Sequence, residues 1–213
     1  MSTITVYGAT GMVGSEIVTE AVARGYQVTG VTHGNPDHVK NPVAGVSYVS
    51  GDIADTGDVV EKAKATDIIV FSVPGARDGS SVQPIIDAHS RIVAAFAGAG
   101  VTARIFIVGG AGATRTPDGT LLKDTPDFPA AYKPEAESFA QILDLWRGSA
   151  KSLDWTMLAP SPEIAPGEAT ASYALGDDVA AGGFVTAGTF AKAALDELDT
   201  PAHRRARFIV SNA

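Results

Sequence analysis

The sequence predicts an α/β protein with a doubly wound, mostly parallel sheet. It reads as one domain over residues 1–213 with a small substrate region toward the C-terminus. Three observations predict this. Strand-like and helix-like segments alternate along the chain, the strands are apolar nearly throughout, and a glycine-rich turn joins the first strand to the first helix. Strands apolar on both faces and separated by helices need a helix layer on each side, which is the parallel-sheet solution. Right-handed crossovers then place a ligand crevice at the carboxyl ends of the strands.

Each element has its own signature. Thr3 to Tyr7 is a β-branched run that ends in the glycine turn. Val13 to Arg24 repeats apolar residues at Val13, Ile17, Ala21 and Val22, a helical spacing that Gly25 stops. Gln27–Thr32 and Val46–Ser50 read as strands, Thr56–Lys64 as a short helix, and Asp67–Val73 as a buried strand. Pro84 to Gly98 is a helix with Ile85, Ile86, Ile92, Val93 and Phe96 on one face, and Ala103–Val108 is the next strand. The helix Pro134–Trp146, the strand Asp154–Leu158, the helix Thr186–Leu198 and the strand Arg207–Ser211 complete the order. Residues 109–134 and 159–185 lack clear periodicity and are expected to form the loops over the crevice.

Composition narrows the function. The net charge of −8 repels phosphate backbones and anionic lipid, and only His203-Arg204-Arg205-Ala206-Arg207 makes a basic stretch, so neither nucleic acid nor a membrane is an expected partner. The absence of cysteine excludes disulfides, thiolate metal sites and cysteine nucleophiles. Four scattered histidines, His33, His38, His89 and His203, offer no metal-ligand spacing, so no metal is expected. No Gly-x-Ser-x-Gly elbow is present, which removes the hydrolase reading. Ile4, Val6 and Gly8 follow the initiator without an apolar leader, so a cytoplasmic location is expected; the oligomeric state is left open.

The turn Gly8-Ala9-Thr10-Gly11-Met12-Val13-Gly14 lies between a strand and a helix, where a dinucleotide-binding Rossmann turn belongs. Gly8 permits the tight turn, Gly11 lets backbone approach a pyrophosphate, and Gly14 lets the helix pack on the strand. The helix N-terminus adds free N–H groups and a positive dipole end. The spacing is Gly-x-x-Gly-x-x-Gly, and a plain strand-to-helix turn is the competing reading.

The turn resembles the opening of the atypical short-chain dehydrogenase/reductases. The similarity continues through Gly51-Asp52, Gly109-Gly110-Ala111-Gly112, Asp124-Thr125-Pro126-Asp127-Phe128-Pro129, Tyr132-Lys133-Pro134-Glu135-Ala136 and Leu153-Asp154-Trp155-Thr156. These motifs are similar to the small NAD(P)H-binding proteins often labelled NADH-flavin reductases, relatives of biliverdin IX-beta/flavin reductase. The resemblance implies cofactor contacts from Gly8, Thr10, Gly11, Met12, Val13 and Gly14. It also implies Asp52 with Ile53 at the adenine, Ser72, Val73 and Pro74 beside the nicotinamide ribose, and Gly109 and Gly110 on the same side. The second strand ends at Thr32-His33 with no carboxylate before Asp37, and family members commonly carry arginine near His33. NADP is therefore the preferred cofactor and NAD the alternative, with binding of NADP strengthening as His33 protonates. An ordinary exposed histidine, and a capping role for Asp52 at residues 54–64, stay open.

A conventional Ser-Tyr-Lys set is missing. Tyr132 is followed at once by Lys133, and Ala136 stands where the spaced lysine would be; glycines end the fifth strand where a hydroxyl would be, with Thr114 and Thr116 the first to follow. Either hydride passes to an acceptor that needs little protein acid, such as a flavin, quinone or similar conjugated system, or Tyr132 or Lys133 acts from an atypical position. The alternative for that pair is a helix start with Pro134 at its first position. Glu163 is a weaker candidate, and Asp177-Asp178 is expected in a solvated loop. The rival functions are a dinucleotide sensor without catalysis and a reductase or isomerase of a specialised metabolite.

Overall fold

A computed structural model describes residues 1–213. In chain order the elements are β1 (Thr3–Tyr7), α1 (Met12–Ala23), β2 (Gln27–Thr32), β3 (Ser47–Ser50), α2 (Thr56–Lys64), β4 (Ile68–Phe71), α3 (Gln83–Ala99) and β5 (Arg104–Val108). They continue with α4 (Lys133–Arg147), β6 (Trp155–Pro160), β7 (Glu163–Ala165), β8 (Tyr173–Gly176), β9 (Phe184–Thr186), α5 (Ala187–Asp199) and β10 (Ala206–Asn212). Eight strands form one sheet in the order β3-β2-β1-β4-β5-β6-β10-β8, parallel except where β8 runs against β10. The order reverses between β1 and β4, so the switch point, where such sheets bind ligands, lies at the carboxyl ends of those strands.

Alternation along each strand sorts side chains into two cores. Ile4, Val6, Ile68, Val70, Phe106, Leu158 and Phe208 pack under α1 and α5, with Ile17, Val18, Phe190 and Ala194. Tyr7, Ile69, Phe71, Ile105, Ile107, Trp155 and Met157 pack under α2, α3 and α4, with Val59, Ile92, Ile142 and Trp146. Because both faces are covered, the strands read as continuous apolar runs. No helix is long and apolar enough to cross a membrane.

Between α3 and α4, His89 is fully buried; its Nδ1 accepts from the Trp146 Nε1–H at 3.2 Å, and Phe71 meets the ring edge-on. Burial holds the imidazole neutral and pulls its pKa from 6.5 to about 4. Between those values the unfolded chain binds the proton more tightly, so stability is present at neutral pH and declines as pH falls from about 6.5 toward about 4. The expected loss is up to about 3 kcal/mol. Urea midpoints across that range measure it, and His89→Gln, which keeps an acceptor for Trp146, should lack the slope.

The region after β6 departs from the expected open loop. Residues 163–165 and 184–186 pair as β7 and β9, and β8 extends the main sheet. Asp178 lies exposed in the loop after β8, as expected, and is tied down there. It bonds Arg207, whose side chain is only 2% exposed and also donates to the Ala113 carbonyl at 2.8 Å; that guanidinium holds the carboxyl below the usual range. The basic stretch near the end is likewise paired within the chain. Arg204 pairs with Asp154, and Arg205 donates to the carbonyls of Ala150 and Leu153 at 2.8 Å.

Candidate active site

The glycine turn sits at the switch point. Gly8 has φ +77°, and a Cβ on it would lie 2.2 Å from the Ser72 carbonyl oxygen at the end of β4. Its N–H and that of Ala9 both donate to Val31 O, at 3.1 and 3.3 Å, which ties the turn to β2 as well. A Cβ on Gly14 would meet the Gly8 carbonyl oxygen at 2.1 Å, so α1 presses onto the turn where only hydrogen fits. Gly11 differs. It is extended at φ −77° and ψ 169°, and its Cβ would meet only Gly8 O at 3.4 Å. Gly8 and Gly14 are thus required by the fold, whereas Gly11 opens onto the crevice.

No side chain caps α1, and its first hydrogen bond runs from Ser15 N–H to Gly11 O at 2.9 Å. The N–H groups of Met12, Val13 and Gly14 have no partner in the chain and are aimed outward by the helix. Free donors at a positive dipole end beside an uncrowded glycine fit the pyrophosphate of a dinucleotide. Thr10 and Met12 are exposed at the same edge.

The other strand ends converge on this turn. Thr32 closes β2, with its carbonyl accepting from Gly51 N–H at 3.0 Å, and His33 follows. Asp52 accepts from Ala54 N–H at 2.8 Å through Oδ1 and lies 3.1 Å from His33 Nε2 through Oδ2. The cap of α2 itself is Asp55, which accepts from Asp58 N–H at 3.1 Å, so Asp52 shapes the preceding turn rather than the helix end. Ile53 and Ser72 are buried, Val73 half-buried and Pro74 exposed. Tyr7, the large polar side chain nearest the turn, donates to Asp58 at 3.2 Å; burial and that carboxylate push its hydroxyl far above the usual phenol range, which disqualifies it as an acid.

On the substrate side, β5 runs into Gly109, whose N–H donates to Leu158 O at 2.7 Å, and then Gly110. A Cβ on Gly110 would lie 2.5 Å from Phe139 Cδ2, and one on Gly112 would lie 2.3 Å from Ala136 Cβ. The glycines therefore let the 3₁₀ turn Ala111–Ala113 nest against α4, and Ala136 is small for the same reason. The hydroxyls that follow are all engaged locally. Thr114 donates to Ala111 O at 2.7 Å, Thr125 donates to Leu122 O at 2.8 Å, and Thr116 and Thr120 bond Asp118.

Tyr132 ends a 3₁₀ turn (Ala130–Tyr132) and is 56% exposed; Lys133 opens α4, with Pro134 second rather than first. Two ties position this helix start. Arg77, in the loop after β4, grips Glu135 through Nε at 3.0 Å and Nη2 at 2.7 Å, and Lys123 reaches Glu137 at 3.0 Å. Glu163 lies exposed on β7. The tie between Arg77 and Glu135 spans 58 residues and gave no local signal; a lone arginine after Pro74-Gly75 reads as an ordinary loop residue.

Residues 8–201 match the family model described as NAD(P)H-binding. The chain belongs to that family. Among relatives of this NAD(P)H-binding chain, the uncharacterized protein YwnB of Bacillus subtilis is 32% identical over 216 residues, covering 97% of both chains. A Streptococcus pneumoniae structure provisionally named an NADH-flavin reductase is 27% identical with TM-score 0.81, over the whole of both chains. A Bacteroides thetaiotaomicron structure provisionally named an epimerase is also 27% identical, with TM-score 0.86, over 99% of this chain and 97% of that one. The fold is therefore shared across differently named activities, and the site has to argue the chemistry.

Proposed function

We propose that this chain is a cytoplasmic NAD(P)H-dependent reductase that delivers hydride to a flavin, quinone or similar conjugated acceptor. Membership of the NAD(P)H-binding family supports the cofactor, and the name of the pneumococcal relative supports the acceptor class. The observation that carries the reading is the end of β5. A side chain at Gly110 or Gly112 would run into α4, Ala111 between them carries no hydroxyl, and every following hydroxyl through Thr125 is already bonded within its own loop. Reduction of a simple carbonyl needs a positioned acid to protonate the developing alkoxide. A conjugated acceptor spreads the added charge and takes its proton from water.

In this reading the N–H groups of Met12, Val13 and Gly14, with Gly8, Thr10 and Gly11, hold the pyrophosphate. Thr32 and His33 flank the adenosine ribose, favouring NADP with NAD also accepted, and Asp52 and Ile53 border the adenine. Ser72, Val73, Pro74, Gly109 and Gly110 line the nicotinamide side. The bound dinucleotide supplies the hydride. Tyr132 and Lys133 form the rim on which the acceptor rests.

Oxidation of NADPH and NADH, followed spectrophotometrically with flavins, quinones and simple aldehydes, tests the proposal. Turnover with flavins or quinones and none with aldehydes is expected. Tyr132→Phe and Lys133→Ala should each stay within about tenfold of the parent, since losing a true general acid costs roughly a hundredfold or more. A larger loss with NADPH affinity intact would make one of them the acid. Dinucleotide binding without turnover of any acceptor would make the chain a sensor.

A further inference from the structure

At the outer part of the sheet β2 and β3 run parallel with Thr32 opposite Ser50, so the turns that follow bring His33 and Asp52 together. The Asp52 carboxylate is held at both oxygens, by Ala54 N–H at 2.8 Å and by His33 Nε2 at 3.1 Å. Asp52 is the one hydrogen-bond partner of the His33 ring, whose side chain is 85% exposed; that of Asp52 is 46% exposed. A ligand can reach both.

We infer that Asp52 is an internal competitor for His33, and that this pair sets the choice between NADPH and NADH by holding preference for NADPH down. The inference rests on the cofactor placement proposed above. Beyond the carboxyl end of the second strand, a carboxylate favours the ribose hydroxyls of NAD, and a cationic or donor group favours the 2′-phosphate of NADP. Here both kinds of group occupy one spot. A 2′-phosphate drawing on His33 must take the ring from Asp52 or lie beside a like charge. An unphosphorylated ribose meets neither cost, because it carries no charge and leaves the pair intact. His33 alone would select NADPH; His33 held by Asp52 is expected to accept either cofactor.

The test measures NADPH and NADH affinities by calorimetric titration for the parent, Asp52→Asn, His33→Ala and the double variant. Asparagine keeps the acceptor that fixes the Ala54 turn and removes the charge. Asp52→Asn should raise the NADPH-to-NADH affinity ratio roughly fivefold, the ceiling for one exposed ion pair. His33→Ala should lower the ratio, and in that background the gain from Asp52→Asn should shrink by at least about half, which is the coupling a double-mutant cycle isolates. An unchanged or lower ratio in Asp52→Asn overturns the inference. So does an equal gain in both backgrounds, or an equal loss of both cofactors with their ratio unchanged, which would leave Asp52 its place at the adenine and no part in the choice. If the parent binds both dinucleotides in all these cases, the cofactor reading stands without the inference; if it binds neither, both fall.

Discussion

Gly11→Val is expected to fold and to lose the dinucleotide, whereas Gly14→Val is expected to destabilise the fold itself. The two glycines lie three residues apart in one turn, yet they answer to different constraints. Gly11 is in extended backbone open to any residue, and its Cβ would touch only Gly8 O at 3.4 Å. Valine is a poor residue at a helix N-cap, so stability should fall by about 1 kcal/mol. Its methyl groups would stand where a pyrophosphate must reach the N–H groups of Met12, Val13 and Gly14. Hydrogen bonds to a charged phosphate contribute roughly 1.5–3 kcal/mol each. Losing two of them weakens NADPH and NADH binding by at least about a hundredfold. At Gly14 the new Cβ would sit 2.1 Å from a backbone oxygen that itself belongs to the turn, so α1 has to move off β1. Forced overpacking against backbone should cost roughly 3 kcal/mol or more. Urea unfolding and calorimetric titration separate the two outcomes. Parental NADPH affinity in Gly11→Val would show that the turn is a structural corner and not a cradle.

That division also marks what could be read from the sequence. Gly8 and Gly14 are demanded by local backbone geometry, and local geometry leaves a local pattern. The long helices were equally legible: α3 spans Gln83–Ala99 where the apolar spacing gives 84–98, and Gly100, in the left-handed region at φ +65°, ends it. The strands β7, β8 and β9 were not, because runs of three or four residues are too short to carry a measurable period. The site shows the same split. His33 and Asp52 each stand out singly, but their contact depends on the β2–β3 register, which periodicity does not encode. Arg77 with Glu135 and Arg207 with Asp178 join segments 58 and 29 residues apart, and such pairs leave no trace in either neighbourhood. Asp178 lies exposed in its loop, as expected, but its contact with Arg207 links both loop regions over the crevice, since Arg207 holds Ala113 at the same time.

The opposite end of the sheet should carry stability without touching the cofactor. Arg104 opens β5 at its amino end, and its Nη2 meets Glu197 Oε1 at 2.8 Å while Nη1 meets Asp154 at 2.7 Å; the side chains of Arg104 and Glu197 are 8% and 3% exposed. Glu197 also accepts from the N–H groups of Ala202 and His203 and faces His203 Nδ1 at 2.8 Å. Glu197→Ala therefore removes one of the two carboxylates on a buried guanidinium, which keeps Asp154 and Thr156, and strands the donors of a whole turn. An unpartnered buried charge costs about 3–5 kcal/mol; with Asp154 still on Arg104 the expected loss is at the lower end, about 3 kcal/mol, and includes the unpaired N–H groups. The urea midpoint should fall accordingly with little change in slope. Pairing Glu197→Leu with Arg104→Met should recover much of the loss, since a buried ion pair replaced by apolar groups of similar size is often neutral. NADPH affinity should match the parent in both variants, because ligands of such sheets bind at the carboxyl strand ends. A loss of NADPH affinity in a folded Glu197→Ala protein would mean that this network reaches the crevice through β5. A midpoint near the parental value would mean that water has replaced the missing carboxylate, and that the cluster is less buried than its geometry states.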